Sequence, residues 1–407
     1  MMYGKCRVCG GAVREFIDLG RQPSANAFLL PDEVDGEFLF RLAAGSCEKC
    51  SMVQLLEEVP QTVRYHEGYR YRASGSAGHR RHFEENARRF LRDELTGRDA
   101  FIVEIGCNDG VMLATVADAG VRHLGVEPSA NVAEEARAKG VEVREDFFDE
   151  TTAAEIRDEH GPARVVFGAN TICHIAHIDS VLRGVDALLG PGGIFVFEEP
   201  YLGTVLEQGA FDQIYDEHVF YFSVTSVREM AARFGFDLVD AERIPLHGGE
   251  IRYTLARTGE RPVAASVGRM VAEERTRGLS SPDALARFGD NVRRVRDDLV
   301  TLLQGLRDDG RRVVGYGAPG KATTVTNLCG IGTDLVPFVC DSTPDKQGRL
   351  VPGSHLPVRP PEEFARPYPD YALLFAWNHA EEIMAKEEEF RRAGGRWIRY
   401  VPTVTVT

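Results

Sequence analysis

Two Cys-x-x-Cys pairs, Cys6-Arg7-Val8-Cys9 and Cys47-Glu48-Lys49-Cys50, flank residues 10–46 and restrict the start of the chain more than any other feature. Four thiolates complete a tetrahedral zinc shell and leave no open position for water, so an ion held this way is structural. Gly10-Gly11 after the first pair supplies the backbone freedom that a tight knuckle needs. The interval between the pairs is longer than the commonest spacing of roughly 15 to 20 residues. Disulfides are the competing reading. Residues 1–13 show no apolar core or small-residue cleavage site, so a cytosolic location is expected, and that disfavours disulfides. A module over 1–65 is too short for a large core, which is the situation a metal staple serves. Cys107, Cys173, Cys329 and Cys340 stand alone and are expected as small buried hydrophobes.

The 407 residues leave room for two or three domains, and 43% hydrophobic with 27% charged residues is an ordinary globular balance. The longest apolar runs, such as 372–377, fall far short of the roughly 18 residues of a membrane span. Net charge is 48 minus 62, or −14, with no lysine or arginine stripe, which disfavours nucleic acid and anionic bilayers as partners. A small anionic substrate remains compatible, since a few local donors suffice to hold a phosphate. Strand and helix signals alternate from residue 100: strands over 100–105, 123–126 and 164–167, helices over 111–119 and 132–139, then a turn and strand over 191–197. Such alternation predicts a parallel sheet with helices on both faces. Ser281-Pro282 opens a helix whose apolar residues Leu285, Phe288, Val292, Val295, Leu299, Leu302 and Leu306 recur every three or four positions. Further strands over 312–315, 335–340 and 371–376 predict a second open sheet, conceivable as an old duplication of the first.

Two glycine-rich turns follow predicted strands. In Glu104-Ile105-Gly106-Cys107-Asn108-Asp109-Gly110 the glycines allow close backbone approach to a ligand, and Glu127 ends the next strand, where an acidic group accepts from ribose hydroxyls. Asp109 would repel a phosphate, so the turn suits a cationic nucleoside. It resembles motif I of the class I S-adenosylmethionine-dependent methyltransferases, with Asn108 in place of the middle glycine, and Glu127-Pro128 resembles their second acidic motif. A generic Rossmann turn that binds another nucleoside, or no ligand, is the alternative. Gly315-Tyr316-Gly317-Ala318-Pro319-Gly320-Lys321, with Asp341 beyond it, matches the spacing of a dinucleotide turn. Pro319 removes one backbone donor and Lys321 adds a cation, so the diphosphate of a nucleotide-linked substrate is the preferred ligand; simple helix-on-strand packing is the alternative.

Tyr215-Asp216-Glu217-His218 places a phenol, carboxylates and an imidazole beyond the strand that ends at Glu198-Glu199, and Asn170-Thr171-Ile172-Cys173-His174 follows another strand end. Methyl transfer to carbon needs a base for a weakly acidic proton beside a carbonyl. Histidine suits that task near neutrality, with Glu217 expected to orient it and a tyrosine hydroxyl to hydrogen-bond the developing enolate. His177 reads as a packing residue.

Taken together, the two cysteine pairs, residues 104–110 and 170–174, Tyr215-Asp216-Glu217-His218 and Leu246-His247-Gly248-Gly249-Glu250-Ile251-Arg252 resemble the zinc-containing sugar C-methyltransferases, which build branched deoxysugars for bacterial natural products, antibiotics among them. The resemblance runs over nearly the whole chain. It implies an α/β protein with a zinc-binding module (1–65), a class I S-adenosylmethionine-dependent methyltransferase domain of Rossmann-like fold (66–255) and a second Rossmann-like domain that contributes to nucleotide-sugar binding (256–407). The implied reaction is methylation at C-3 of a dTDP-4-keto-deoxysugar, 3-amino sugars included. His218 is then the base, and Tyr215, Glu217, His174 and Tyr69 line the reacting centre, although Tyr65 and Tyr71 compete with Tyr69 for that place. Glu104, Gly106, Asn108, Asp109, Glu127 and Asn170 are the expected cofactor residues. Gly317, Lys321 and Arg349 are expected at the nucleotide diphosphate, and Cys6, Cys9, Cys47 and Cys50 on structural zinc. Methylation at oxygen, nitrogen or C-5 of a related sugar is the competing enzymatic reading. A zinc-containing binding protein with an inactive methyltransferase fold is the other, and the grouping of Tyr215, Glu217 and His218 speaks against it.

Overall fold

The computed structural model describes residues 3–64, 69 and 71–407. An antiparallel sheet opens the chain with β1 (Tyr3–Lys5), β2 (Ala12–Pro23), β3 (Leu39–Cys47) and β4 (Val53–Leu55), and β10 (Phe220–Tyr221) from much further along pairs with β4 at its edge. The sheet of the first module is therefore completed by the segment that follows His218. Helix α1 (Gln61–Arg64) and helix α2 (Ala77–Asp93) lead to the second sheet, and the Ser76 hydroxyl caps α2 by accepting from the His79 amide.

The second sheet has the order β11-β12-β9-β8-β5-β6-β7. Its parallel part comprises β5 (Phe101–Ile105), β6 (Arg122–Val126), β7 (Val143–Arg144), β8 (Ala163–Ala169) and β9 (Leu189–Pro200), connected through α3 (Val111–Asp118), α4 (Ala130–Ala138), α5 (Glu150–His160) and α6 (Ile178–Leu188). Every residue of β5 is buried, as a strand covered on both faces requires. Phe101, Val103 and Ile105 pack with Ala153, Ile156, Val181 and Leu182 of α5 and α6, while Ile102 packs with Ala87, Phe90, Met112 and Val116 of α2 and α3. After α7 (Leu202–Gln208) and α8 (Val224–Arg233), the pair β11 (Phe236–Ile244) and β12 (Glu250–Arg257) adds antiparallel to β9, so the sheet is mixed where the sequence pattern pointed to parallel strands alone.

Helix α9 (Ala265–Arg277) and the 27-residue helix α10 (Pro282–Asp308) lead to the third sheet. Ser281 caps α10 as expected, and Leu303 takes the place expected for Leu302 in its buried apolar stripe. Burial of each such side chain contributes roughly 1.5–3 kcal/mol. The third sheet has the order β15-β14-β13-β16-β17-β18. Its strands are β13 (Val313–Tyr316), β14 (Val339–Cys340), β15 (Val358–Arg359), β16 (Tyr371–Leu374), β17 (Arg396–Arg399) and β18 (Thr405–Val406), all parallel except the last; α11 (Gly320–Leu328), α12 (Ala380–Lys386) and α13 (Glu388–Arg392) complete it. The strand expected over 335–340 shrinks to β14 because Pro337 has no amide to give to a ladder.

The cysteine module shares core with both larger units. Cys6, Val8, Cys47, Cys50 and Met52 pack into the cluster that contains β5 and α6, and Phe28, Phe40, Leu42 and Val53 pack with α10 and the third sheet. All three parts meet around residues 211–218. No helix among the described residues is long and apolar enough to cross a membrane.

Candidate active site

Four strand ends of the second sheet converge on a cleft of about 880 Å³ of empty space, lined among others by Glu104, Gly106, Asn108, Glu127, Asp146, Phe147, Asn170 and His174. Glu104, next to last in β5, is almost wholly buried, and its Oε2 has no hydrogen-bond partner among the described residues. Burial, and then the carboxylates of Asp109, Glu127 and Glu198, push its pKa well above the usual carboxylate range. A cationic ligand relieves both burdens at once. Glu127 accepts from the amides of Asn108 (3.0 Å) and Ser129 (2.9 Å), which fixes the turn and leaves lone pairs for ribose hydroxyls.

Asn108 takes the role of the missing glycine. It adopts the left-handed conformation (φ +50°), its Oδ1 accepts from the Ala73 amide at 2.9 Å and its Nδ2 donates to the Tyr71 carbonyl at 3.3 Å. The side chain thereby ties the 71–73 segment across the cleft, which a glycine cannot do. Tyr69 and Tyr71 both line the cleft, and Tyr65 lies outside the described residues. Asp109 is not among the lining residues: its carboxylate accepts from Ser74 and from Lys139 Nζ (2.9 Å). Gly106 sits at φ +68°, and a Cβ there would lie 2.4 Å from Thr171 Oγ1. Gly106→Ala is therefore expected to cost about 1–3 kcal/mol and to weaken cofactor binding at least tenfold, read by thermal unfolding and by calorimetric titration with S-adenosylmethionine.

The basic and acidic groups expected to do chemistry lie beside this cleft. The carbonyl of Gln213 is 2.9 Å from His218 Nδ1, which assigns the proton to Nδ1 and leaves Nε2 as an acceptor for the Tyr215 hydroxyl at 2.8 Å. His218 stacks on His174 with ring centroids 5.3 Å apart, and His174 faces the cofactor cleft. Burial lowers the His218 pKa to about 4, so the ring is neutral and able to take a proton at pH 7. Glu199 accepts from the amides of Thr171 (3.1 Å) and Cys173 (3.0 Å), and so holds the turn that presents His174.

Glu217 does not orient His218 as the sequence suggested. Its Oε1 accepts from Asn26 Nδ2 at 2.8 Å, and Asp216 accepts from Ser24 Oγ (2.6 Å) and the Ala25 amide (2.8 Å). The cysteine module thus grips the two residues before the imidazole. Burial, then the charge of Asp216, pushes Glu217 up to about 7. From the other side, Thr323 donates to the Ala25 carbonyl (2.9 Å), Thr324 to the Ile214 carbonyl (3.0 Å), and Trp377 Nε1 to Asp212 (2.6 Å).

The second glycine turn repeats the first. Asp341 accepts from the amides of Ala318 (2.6 Å) and Thr343 (2.7 Å), as Glu127 accepts from Asn108 and Ser129. Gly317 (φ +79°) packs on Ala376. Lys321 is buried, donates to Asn378 Oδ1 at 2.7 Å and lies 4.2 Å from the Trp377 ring centroid; burial lowers its pKa to about 8. Arg349 donates to the carbonyls of Asp345 (3.1 Å) and Phe28 (3.3 Å), so its guanidinium bridges to the cysteine module.

Cys6, Cys9, Cys47 and Cys50 bring their Sγ atoms within 4.8 Å of one another. The pairs at 3.6 Å (Cys6 and Cys50) and 3.4 Å (Cys9 and Cys47) are too long for the roughly 2.05 Å of a disulfide and close to the edge of about 3.8 Å of a tetrahedron built on Zn–S bonds of about 2.3 Å. A Cβ on Gly11 would stand 3.1 Å from Cys9 Sγ and 3.3 Å from Cys47 Sγ, so only glycine leaves the cradle open. The donor set and its spacing fit zinc.

Family models match in order along the chain: a zinc binding domain over 6–65, a methyltransferase domain over 77–241 and a C-methyltransferase C-terminal domain over 245–402. The chain is 38% identical over 403 residues to the C-methyltransferase NovU of Streptomyces niveus, covering 98% of this chain and 95% of that protein. The chain belongs to this family of C-methyltransferases. Solved structures that resemble part of this C-methyltransferase include the CcbJ methyltransferase from Streptomyces caelestis (19% identity, TM-score 0.34, 43% of this chain and 89% of that chain). Magnesium protoporphyrin IX methyltransferase from Synechocystis with bound SAM is another (12%, TM-score 0.34, 44% and 80%). The C-methyltransferase uses S-adenosylmethionine, which fits a cleft with an orphaned carboxylate oxygen, and structural zinc, which fits the four thiolates.

Proposed function

We propose that this C-methyltransferase acts at C-3 of a dTDP-4-keto-deoxysugar, 3-amino sugars included, with His218 as the base. The observation that carries the reading is a buried, neutral imidazole, locked through Nδ1, whose Nε2 meets a tyrosine hydroxyl beside a histidine that lines the cofactor cleft. When the substrate ketone draws the Tyr215 hydroxyl off Nε2, the freed Nε2 lone pair takes the C-3 proton as that C–H electron pair moves into the C-4 carbonyl, and Tyr215 and His174 hydrogen-bond the enolate oxygen. The cofactor supplies an electrophilic methyl group on a positive sulfur. Glu104, Gly106, Asn108, Glu127 and Asn170 hold it at the carboxyl edge of the sheet, and Asp109 acts from behind by fixing Ser74 and Lys139. Tyr69 and Glu217 close the reacting centre, and Gly317, Lys321 and Arg349 belong to the nucleotide side. The division of labour follows a zinc module at 1–65, a methyltransferase domain at 66–255 and a nucleotide-sugar domain at 256–407.

Incubation with a dTDP-4-keto-2,6-dideoxyhexose in deuterated water without the methyl donor tests the reading. Exchange at C-3, followed by NMR, is the expected result. C-5 flanks the same ketone, and exchange there instead, or at neither carbon, sinks the C-3 assignment. The acid limb of that exchange is a second expected outcome. A histidine held near 4 stays competent far below the ordinary imidazole range, so in Glu217→Gln, which removes the carboxyl near 7, the rate is expected to fall only around pH 4. A limb near 6.5 in that variant contradicts the burial of the base.

A further inference from the structure

Between the cofactor cleft and the second glycine turn the fold gathers three imidazoles that the methyl-transfer steps leave unused. His79 stands in the first turn of α2, His247 in the loop from β11 to β12 at φ +46°, and His379 at the end of the short turn before α12. The His79 ring lies 4.5 Å from His247 and 5.9 Å from His379. No ring nitrogen of the three hydrogen-bonds to a described residue. Lys321 and Trp377 stand beside them, and a Cβ on Gly248 would touch Trp377 at 3.0 Å. Gln213 links the group to the base, since its carbonyl accepts from His218 Nδ1 while its Nε2 donates to the His247 carbonyl at 3.0 Å.

We propose that His79, His247 and His379, with Lys321, form the subsite for the diphosphate of the nucleotide sugar, an inference that rests on the nucleotide-sugar reading above. Three features single out this place. The protein carries a net charge of −14, and Glu104, Glu127 and Asp146 line the cofactor cleft, so that cleft disfavours a dianion. The glycine turn has little left to offer, because Asp341 already takes the Ala318 amide and Pro319 has none. His247 lines the cofactor cleft, so an anion on the trio lies next to the site of methyl transfer. The titratable groups facing the trio are Lys321, His82 and the neutral His218, with two carboxyls among the described residues, Glu382 of α12 and the buried Asp212, which already accepts from Trp377 and faces Lys321. Burial, and then repulsion from neighbouring rings and from Lys321, lower the proton affinity of all three rings, so the imidazoles are largely neutral near pH 7. An entering diphosphate reverses that balance, and the rings take protons from water to become donors.

Calorimetric titration of the full-length, zinc-loaded protein with dTDP, in buffers of different ionisation enthalpy, reads both affinity and proton count. Net proton uptake at pH 7.5 and affinity rising about tenfold from pH 8 to 6 are expected. The pair His79→Gln with His379→Gln is expected to lose about tenfold in dTDP affinity together with the uptake, and to raise KM about tenfold with kcat within about twofold. S-adenosylmethionine binding reports that the pair has folded, and His379→Gln alone, at a half-exposed position, is expected to lose about threefold. If these variants bind dTDP as the wild type does, the trio is not the subsite and the nucleotide-sugar reading stands. If the wild type binds neither dTDP nor inorganic pyrophosphate, both fall.

Discussion

His218→Ala is expected to lose roughly 10²–10⁴-fold in methyl transfer and to lose deuterium exchange at C-3 in parallel, while binding S-adenosylmethionine as tightly as the wild type. The size follows from the geometry. The Nδ1 proton is pinned by a backbone carbonyl, so the catalytic lone pair is the one on Nε2, and no other described group makes a bond to the Tyr215 hydroxyl. Truncation removes the base and leaves that half-buried phenol without its acceptor. His218→Gln restores an acceptor for Tyr215 but not a base, and is expected to recover stability without activity. Loss of methylation with exchange intact in either variant contradicts the role given to the imidazole.

Loss of zinc is expected to abolish methyl transfer although the ion stands in no step of it. Apparent binding free energies for structural zinc are about 10–16 kcal/mol, as large as the entire stability of a typical domain, so the cysteine module is expected to unfold without its metal. That module supplies Ser24, the Ala25 amide and Asn26 to Asp216 and Glu217, and it pairs β4 with β10 just beyond His218. Unfolding it therefore releases the segment that carries the base. Cys47→Ser, or chelation under mild denaturant, should lower the melting temperature and remove activity together. Zinc-free protein that keeps its melting temperature and its turnover overturns this account.

The parts of the site that were legible in the sequence are those made by neighbours in the chain. The knuckles are local pairs of cysteines, and the cofactor turn is a strand, a few glycines and an acidic residue at the next strand end, all within residues 104–127. Asp146-Phe147 belongs to the same edge and went unread, although its place after the third strand of the series was a usable signal. What escaped was assembled over distance. Asn26 and Glu217 are 191 positions apart, and nothing in either segment announces the other. Glu217 looked like the partner of His218 because it is adjacent in sequence, yet a turn sends the two side chains to different neighbours and hands the imidazole to Gln213. The antiparallel addition of β11 and β12 likewise has no signature in strand-helix alternation, and it is this addition that brings His247 to the cleft. The same limit hid the partners of Lys321, a residue the sequence did single out, whose ammonium turns onto Trp377 and Asn378 from another strand end.

The most direct test of the central claim follows the fate of the methyl group. Purified protein is given S-adenosylmethionine carrying a ¹³C methyl and a dTDP-4-keto-2,6-dideoxyhexose, with and without a 3-amino group, and the product is read by NMR. The account predicts a labelled methyl on C-3, with the C-3 hydrogen gone and the ketone retained, and no such product from His218→Ala. A labelled methyl on oxygen or nitrogen, or carbon methylation that survives His218→Ala, contradicts it.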